Sequence, residues 1–133
     1  MNDSNDKRCE ALPVQTIRPL RGIEREQLRD WAARRGHRWV EVELAGSVAK
    51  AGVLERIARA FEFPAWFGMN LDALYDSLTD LPTPESGGYV ILLDRLTQAR
   101  DFDTRQRTAL LGVFRDAADS FAAQSIPFRV LYS

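Results

Sequence analysis

The chain has 133 residues and a mass of 15.1 kDa, a length that fits one domain able to bury a core without a metal or a disulfide. Its 45% hydrophobic and 28% charged residues argue against disorder. The single cysteine, Cys9, excludes an internal disulfide and a cysteine-based zinc site. No apolar run reaches the roughly 18 residues that span a bilayer, and the polar amino terminus is unlike a signal peptide, so we expect no membrane partner and a cytoplasmic location.

The charges are unevenly distributed along the chain. The formal net charge is −1, but residues 60–94 contain no lysine, arginine or histidine. The acidic residues in this segment are Glu62, Asp72, Asp76, Asp80, Glu85 and Asp94. Because nucleic-acid binding needs basic side chains against phosphate, the segment is not expected to contact nucleic acid. It favours a cationic partner instead. The arginine-rich residues 18–38 also contain acids, and we interpret them as a solvated helix face, with nucleic-acid binding there as a weaker alternative.

The apolar pattern predicts the element order β-α-β-α-α-β-α-β. Strands are predicted at 14–18, 39–44, 89–93 and 128–132, and helices at 24–35, 51–61, 70–80 and 104–123. Residues 1–13 are expected to form a loose tail. The unbroken apolar run at 89–93 is typical of a strand covered on both faces. Helices between strands call for crossover connections, so we predict an α/β fold with a small, mostly parallel sheet of three to four strands flanked by helices.

The helix predicted at 70–80 has two unlike faces. Three leucines share the side expected to be buried, three aspartates share the opposite side, and two polar residues lie between them: Leu71, Leu74 and Leu78; Asp72, Asp76 and Asp80; Tyr75 and Thr79. Aspartate is a weak helix former, and like charges four residues apart repel each other, so the acidic side is a poor choice for stability alone. Asn70 is the predicted N-cap.

Two interpretations of this helix stay open on pattern alone. It is either a solvated acidic helix that follows an aromatic core loop, or a binding face for a basic partner. In the second case Trp66 and Tyr75 would be its aromatic anchors, since aromatic side chains beside charges are typical of binding hot spots.

Residues 64–79, PAWFGMNLDALYDSLT, resemble the signature of the barstar family, intracellular inhibitors of the bacterial ribonuclease barnase. The family pattern is proline, two aromatics, glycine, any residue, Asn-Leu-Asp-Ala-Leu, an aromatic, aspartate, a small residue, leucine and threonine. Residues 113–117, VFRDA, are similar to a second family block in a late helix. The resemblance covers about residues 38–133. It implies a barstar-like sheet flanked by helices, with no catalysis, no cofactor and no bound metal.

The resemblance also implies a binding site and a partner. In that family the motif helix and the loop before it fill the ribonuclease active site. The implied contacts are Trp66, Asn70, Leu71, Asp72, Tyr75, Asp76, Thr79 and Asp80, with Asp116 adding a carboxylate from the late helix. Asp76 would occupy a phosphate position on an arginine fork. We expect a monomer that binds a basic ribonuclease, or a related basic toxin, one-to-one.

The region before the motif is not explained by the resemblance. We expect residues 1–133 to form a single barstar-like domain, with an extra βα unit at about 14–37 that follows the tail at 1–13. The alternative from another functional class is a metal-binding or metal-dependent protein. A cluster of Asp72, Asp76 and Asp116 would suit Mg²⁺ or Mn²⁺, although the sequence offers no Glu-x-x-His ligand pair and no nucleophile placed with a base.

Overall fold

The protein is described by a computed structural model that covers residues 3–64, 68–82 and 87–133, with side chains from residue 7 onward. Four strands form one all-parallel sheet: β1 (Gln15–Pro19), β2 (Arg38–Glu43), β3 (Tyr89–Asp94) and β4 (Phe128–Tyr132). Their order across the sheet is β1-β4-β3-β2. The α/β architecture and the mostly parallel sheet predicted from the sequence are therefore confirmed.

Five α-helices accompany the sheet in the described parts of the chain. They are α1 (Asp3–Glu10), α2 (Arg25–Arg34), α3 (Ala49–Phe61), α4 (Leu71–Thr79) and α5 (Thr104–Ala122). A short 3₁₀ turn, Leu96–Gln98, follows β3. The bounds of α2 to α5 differ from the predicted ones by two residues or fewer, since the apolar face that each helix buries is visible as a 3.6-residue period.

The helices lie in two layers, one on each face of the sheet. On one face α3, α4 and α5 pack against β2, β3 and β4 around residues such as Ile57, Leu74, Ile91, Phe114 and Phe121. On the other face α1 and α2 cover Val90, Leu92 and Leu131 with Cys9, Leu28 and Trp31. Strand β3 is buried on both sides, as its unbroken apolar sequence predicts.

The prediction of a loose tail over residues 1–13 is wrong for the part that the structure describes. Residues 3–10 form α1, and both Cys9 and Leu12 are buried against the α2 side of the sheet. The sequence signal was weak because only two large apolar positions stand among charged residues. Helix α1 is therefore stabilised by packing on α2, and its own sequence is too weakly amphipathic to predict it.

The βα unit predicted at about 14–37 corresponds to β1 and α2, and β1 forms one edge of the sheet. β1 pairs in parallel with β4, with Gln15 opposite Phe128, so the first strand of the chain lies beside the last.

Within the described ranges, no helix is both long enough and apolar enough to cross a membrane.

Candidate partner-binding surface

The first turn of α4 is fixed by Asn70. Its backbone is extended, with φ −144° and ψ 168°, and its side-chain Oδ1 accepts a 2.8 Å hydrogen bond from the backbone N–H of Ala73. This bond satisfies one of the donors that a helix start leaves open. The predicted N-cap is confirmed, and it fixes where the acidic side of α4 begins.

The two faces predicted for α4 are present. Leu74 and Leu78 are fully buried in the core beneath the helix. Asp72, Asp76 and Asp80 are exposed. Leu71 differs from its prediction as a core residue, because it is only half-buried at the end of the stripe. The open part of Leu71 adds apolar surface beside the acidic face.

The two polar residues between these faces are differently disposed. Tyr75 is 36% exposed, so part of it is open to solvent. The Thr79 hydroxyl lies within hydrogen-bond distance of two backbone carbonyls of its own helix, those of Tyr75 at 3.0 Å and Asp76 at 3.2 Å. Its single proton is therefore used within α4, and towards a partner Thr79 can act only as an acceptor.

Packing of α4 against α5 brings Asp116 to the motif helix. An open depression of about 550 Å³ is lined by Leu71, Asp72, Tyr75, Asp76, Val113 and Asp116. Three carboxylates and a phenol thus converge from two helices on one concave surface, which we call the acidic depression. Asp116 is exposed, as its predicted role requires.

Asp80 lies apart from the other three predicted aspartates. It lines a neighbouring depression of about 340 Å³, together with Arg38, Glu62, Ser77 and Leu81. Arg38 is 3.9 Å from a Glu62 carboxylate oxygen there. The structure therefore divides the predicted contact residues between two adjacent concave surfaces.

The four predicted contact aspartates are not neutralised by other residues that the structure describes. Across residues 7–64, 68–82 and 87–133, Asp72, Asp76, Asp80 and Asp116 form no ion pair, whereas other acids do: Glu55 with Arg59 at 2.6 Å, and Glu41 with Arg25 at 2.7 Å. Each exposed aspartate therefore keeps its acceptor oxygens for water or for a ligand.

Two residues near this surface had no contact role in the sequence prediction. Val113 lines the acidic depression, and its position one helical turn before Asp116 could have placed it on the same side of α5. Met69 is 43% exposed just before the N-cap. Trp66, the remaining predicted anchor, lies outside the described residues.

The metal-binding alternative requires three ligands within reach of one ion. Among the residues that the structure describes, no group of three or more histidine, cysteine, aspartate or glutamate side chains is arranged to hold one. The carboxylates of the acidic depression share a surface without forming a coordination shell, so the geometry gives this alternative no support.

The family model described as Barstar (barnase inhibitor) matches residues 37–133. The chain belongs to the barstar family. A comparison with curated proteins gave no match. The matched region contains β2, β3 and β4 with α3, α4 and α5, and therefore the whole acidic depression. The elements α1, β1 and α2 precede it. Members of the barstar family are inhibitors rather than enzymes.

Proposed function

We propose that this protein inhibits a basic, barnase-type ribonuclease by covering the enzyme's active site with α4 and the loop before it. The observation that carries the proposal is the acidic depression itself: three exposed carboxylates, Asp72, Asp76 and Asp116, line one concave surface with Tyr75, and none of them pairs with a cation among the described residues. An acidic helix that served only as a solvated face would gain from basic residues among its acids, and residues 60–94 contain none.

The chemistry of inhibition follows from what a ribonuclease must bind. Its active site presents arginine, lysine and histidine side chains to hold phosphate groups. A carboxylate such as that of Asp76 can accept two hydrogen bonds from one arginine, in the place of a phosphate. The cost of removing water from Asp76 is offset because the enzyme site is already organised around an anion.

The residues around Asp76 would make the other contacts with the ribonuclease. Tyr75 offers exposed ring area for a central apolar contact. Asp72 and Asp116 would meet the basic rim on either side, and Asp80 would meet it from the adjacent depression. Asn70, Leu71, Thr79 and Trp66 would complete the contact.

We further propose that inhibition is one-to-one and takes place in the cytoplasm of the cell that makes the ribonuclease, so that the protein acts as an immunity protein or antitoxin. The negative charge of residues 60–94, a segment without a basic residue, would accelerate encounter with a cationic enzyme. Speed matters for this role, because free ribonuclease degrades cellular RNA until it is bound.

The test is inhibition of RNA cleavage by purified barnase-type ribonucleases at micromolar inhibitor. The wild-type protein should abolish cleavage at a one-to-one ratio, and Asp76→Ala should weaken inhibition at least tenfold. Asp30→Ala is the matched control, because Asp30 is an exposed aspartate in α2, on the other side of the sheet. Absence of inhibition across several such enzymes, or equal effects of the two variants, would contradict the proposal.

A further inference from the structure

An apolar pocket of about 230 Å³ opens between the start of α3, the start of α4 and the start of α5. Its walls include Val53, Leu54, Phe102 and Leu110, all of them buried core residues. Leu71 lines this pocket and also the acidic depression. The pocket is therefore separate from the acidic depression, and the Leu71 side chain lies between the two.

The polar groups that line the pocket are donors. Lys50 and Arg105 are exposed, and neither forms an ion pair within the described parts of the chain. Gln106 uses its Oε1 to accept the backbone N–H of Asp103 at 2.9 Å, which leaves its amide NH₂ group as the donor. The carboxylate of Asp103 in turn accepts the backbone N–H of Gln106 at 2.9 Å, so this nearby acid is engaged in the capping box of α5.

The charge around the pocket decides what can occupy it. The basic partner proposed for the acidic depression would be repelled by Lys50 and Arg105. An apolar interior with two unpaired cations and an amide donor is complementary to a molecule with an apolar body and one anionic head. A cavity of roughly 150 Å³ holds a benzene molecule, so a pocket of about 230 Å³ has room for a ring or a short alkyl chain.

We propose that this pocket is a binding site for a small amphipathic carboxylate, an aryl-alkanoate or a short-chain fatty acid. The apolar body would lie against Val53, Phe102 and Leu110, and the carboxylate would lie between Lys50 and Arg105. The site does not depend on the proposed inhibitor function, because none of the three carboxylates of the acidic depression lines it.

The test uses the full chain and two probes of nearly equal shape, 3-phenylpropionate and its neutral analogue 3-phenylpropanamide. Titration followed by calorimetry and by ¹H–¹⁵N NMR should show saturable one-to-one binding of the acid. The largest shift changes should fall on residues 50–54, 71 and 102–110. The amide should bind at least tenfold more weakly, because it cannot use the two cations.

Variants separate the charged from the apolar part of the pocket. Lys50→Gln combined with Arg105→Gln should weaken binding of the acid at least tenfold. Arg115→Gln, which removes an exposed arginine of α5 that does not line the pocket, should leave binding unchanged. Ala109→Phe should abolish binding, because Ala109 is exposed and lines the pocket, so a ring there can fill it.

Several outcomes would overturn the proposal. These are no saturable binding at millimolar acid, equal affinity for acid and amide, or shift changes centred outside the pocket. An acetylated peptide ending in phenylalanine that binds more than tenfold tighter than 3-phenylpropionate would also overturn it, since the pocket would then be a docking site for a protein segment. If Ala109→Phe fails to fold, the two-site glutamine variant decides the question alone.

Discussion

The indole Nε1 of Trp31 donates a 2.8 Å hydrogen bond to a carboxylate oxygen of Glu10, and this bond joins α1 to α2. The same carboxylate lies 3.2 Å from the Arg35 guanidinium. On the ring of Trp31 lies a second guanidinium, that of Arg129 in β4, at 5.0 Å from the ring centroid. Arg129 is 3% exposed, and burial lowers its pKa, as does the nearby Arg35, while Glu10 acts in the opposite direction. Trp31 and Glu10, which precede the family-matched region, thus provide an aromatic ring and a carboxylate near the buried guanidinium of Arg129 in β4.

Replacing Glu10 with alanine should lower the free energy of unfolding by about 1 kcal/mol. The buried indole N–H loses its acceptor, which accounts for most of that cost. The ion pair with Arg35 adds little, because the Glu10 side chain is 53% exposed. Urea unfolding followed by tryptophan fluorescence measures the change.

The control for this change is Glu26→Ala. Glu26 is an exposed acid that pairs with the exposed Arg25 at 2.9 Å, and its removal should stay within about 0.5 kcal/mol of the wild type. Equal losses in the two variants would show that the Glu10–Trp31 bond does not stabilise the fold.

Gly88 is held in close contact with His37 at the start of β3. A Cβ atom on residue 88 would stand 2.8 Å from His37 Nε2, and the imidazole is itself packed edge-on against Trp31 at 6.2 Å between ring centroids. Gly88→Ala should therefore destabilise the protein by about 1–3 kcal/mol through overpacking. Thermal and urea unfolding measure the loss.

A second variant shows whether the crowding is the cause. In a His37→Ala background the same glycine substitution should cost much less, since the clashing ring is gone, and the double-mutant cycle should show that coupling. Gly112→Ala is the opposite control, because a Cβ there meets nothing within 4 Å and α5 gains a better helix former. Additive losses for residues 37 and 88 would contradict the proposed clash.

The stability of the protein should depend on the protonation of His37. Burial lowers the pKa of His37, and the charges of Arg129 and Arg35 lower it further. In the unfolded chain its pKa returns to about 6.5, so the unfolded state binds more protons between the folded pKa and that value. The free energy of unfolding should therefore fall as the pH is lowered through this window.

The measurement compares the wild type with His37→Gln by urea unfolding at about pH 7.5 and at successively lower pH values. Carboxylates contribute equally to both proteins, so the difference between them isolates His37. The wild type should lose more stability than the variant as the pH falls below about 6.5. Parallel pH profiles would mean that the imidazole titrates alike in the folded and unfolded states.

The parts of this fold that the sequence predicted are those in which a buried face imposes a period. The apolar run at 89–93 is one example, and its prediction as a strand covered on both faces is confirmed. Leu74 and Leu78 of α4 are another, since both are buried as predicted, whereas Leu71 at the end of the stripe is only half-buried. Helix α1 was missed because its burial depends on Trp31 and other partners distant in sequence. The separation of Asp80 from Asp76 was also hidden, since it depends on how α4 packs against α5 and the end of α3. Periodicity places a side chain on a face, and only tertiary packing decides which concave surface that face enters.

Asn70 has a structural role that can be separated from any partner contact. Asn70→Ala removes the acceptor for the Ala73 N–H and should cost about 1 kcal/mol of stability. Asn70→Ser keeps a capping oxygen and should retain most of that stability. Urea unfolding of both variants provides the measurement, and equal losses would argue against capping as the cause.

Asp116 is the predicted contact residue that comes from a different helix, so it tests whether the acidic depression acts as one surface. If it meets the basic rim of a ribonuclease, Asp116→Ala should weaken inhibition about tenfold, the typical loss for a hydrogen bond to a charged group. It should also reduce the salt dependence of the association rate, measured by stopped-flow at about 50 mM and about 300 mM salt. Asp30→Ala, on the far side of the sheet, should change the inhibition constant little. An Asp116→Ala variant with unaltered affinity and salt dependence would confine the contact to α4 and the loop before it, and would remove α5 from the proposed interface.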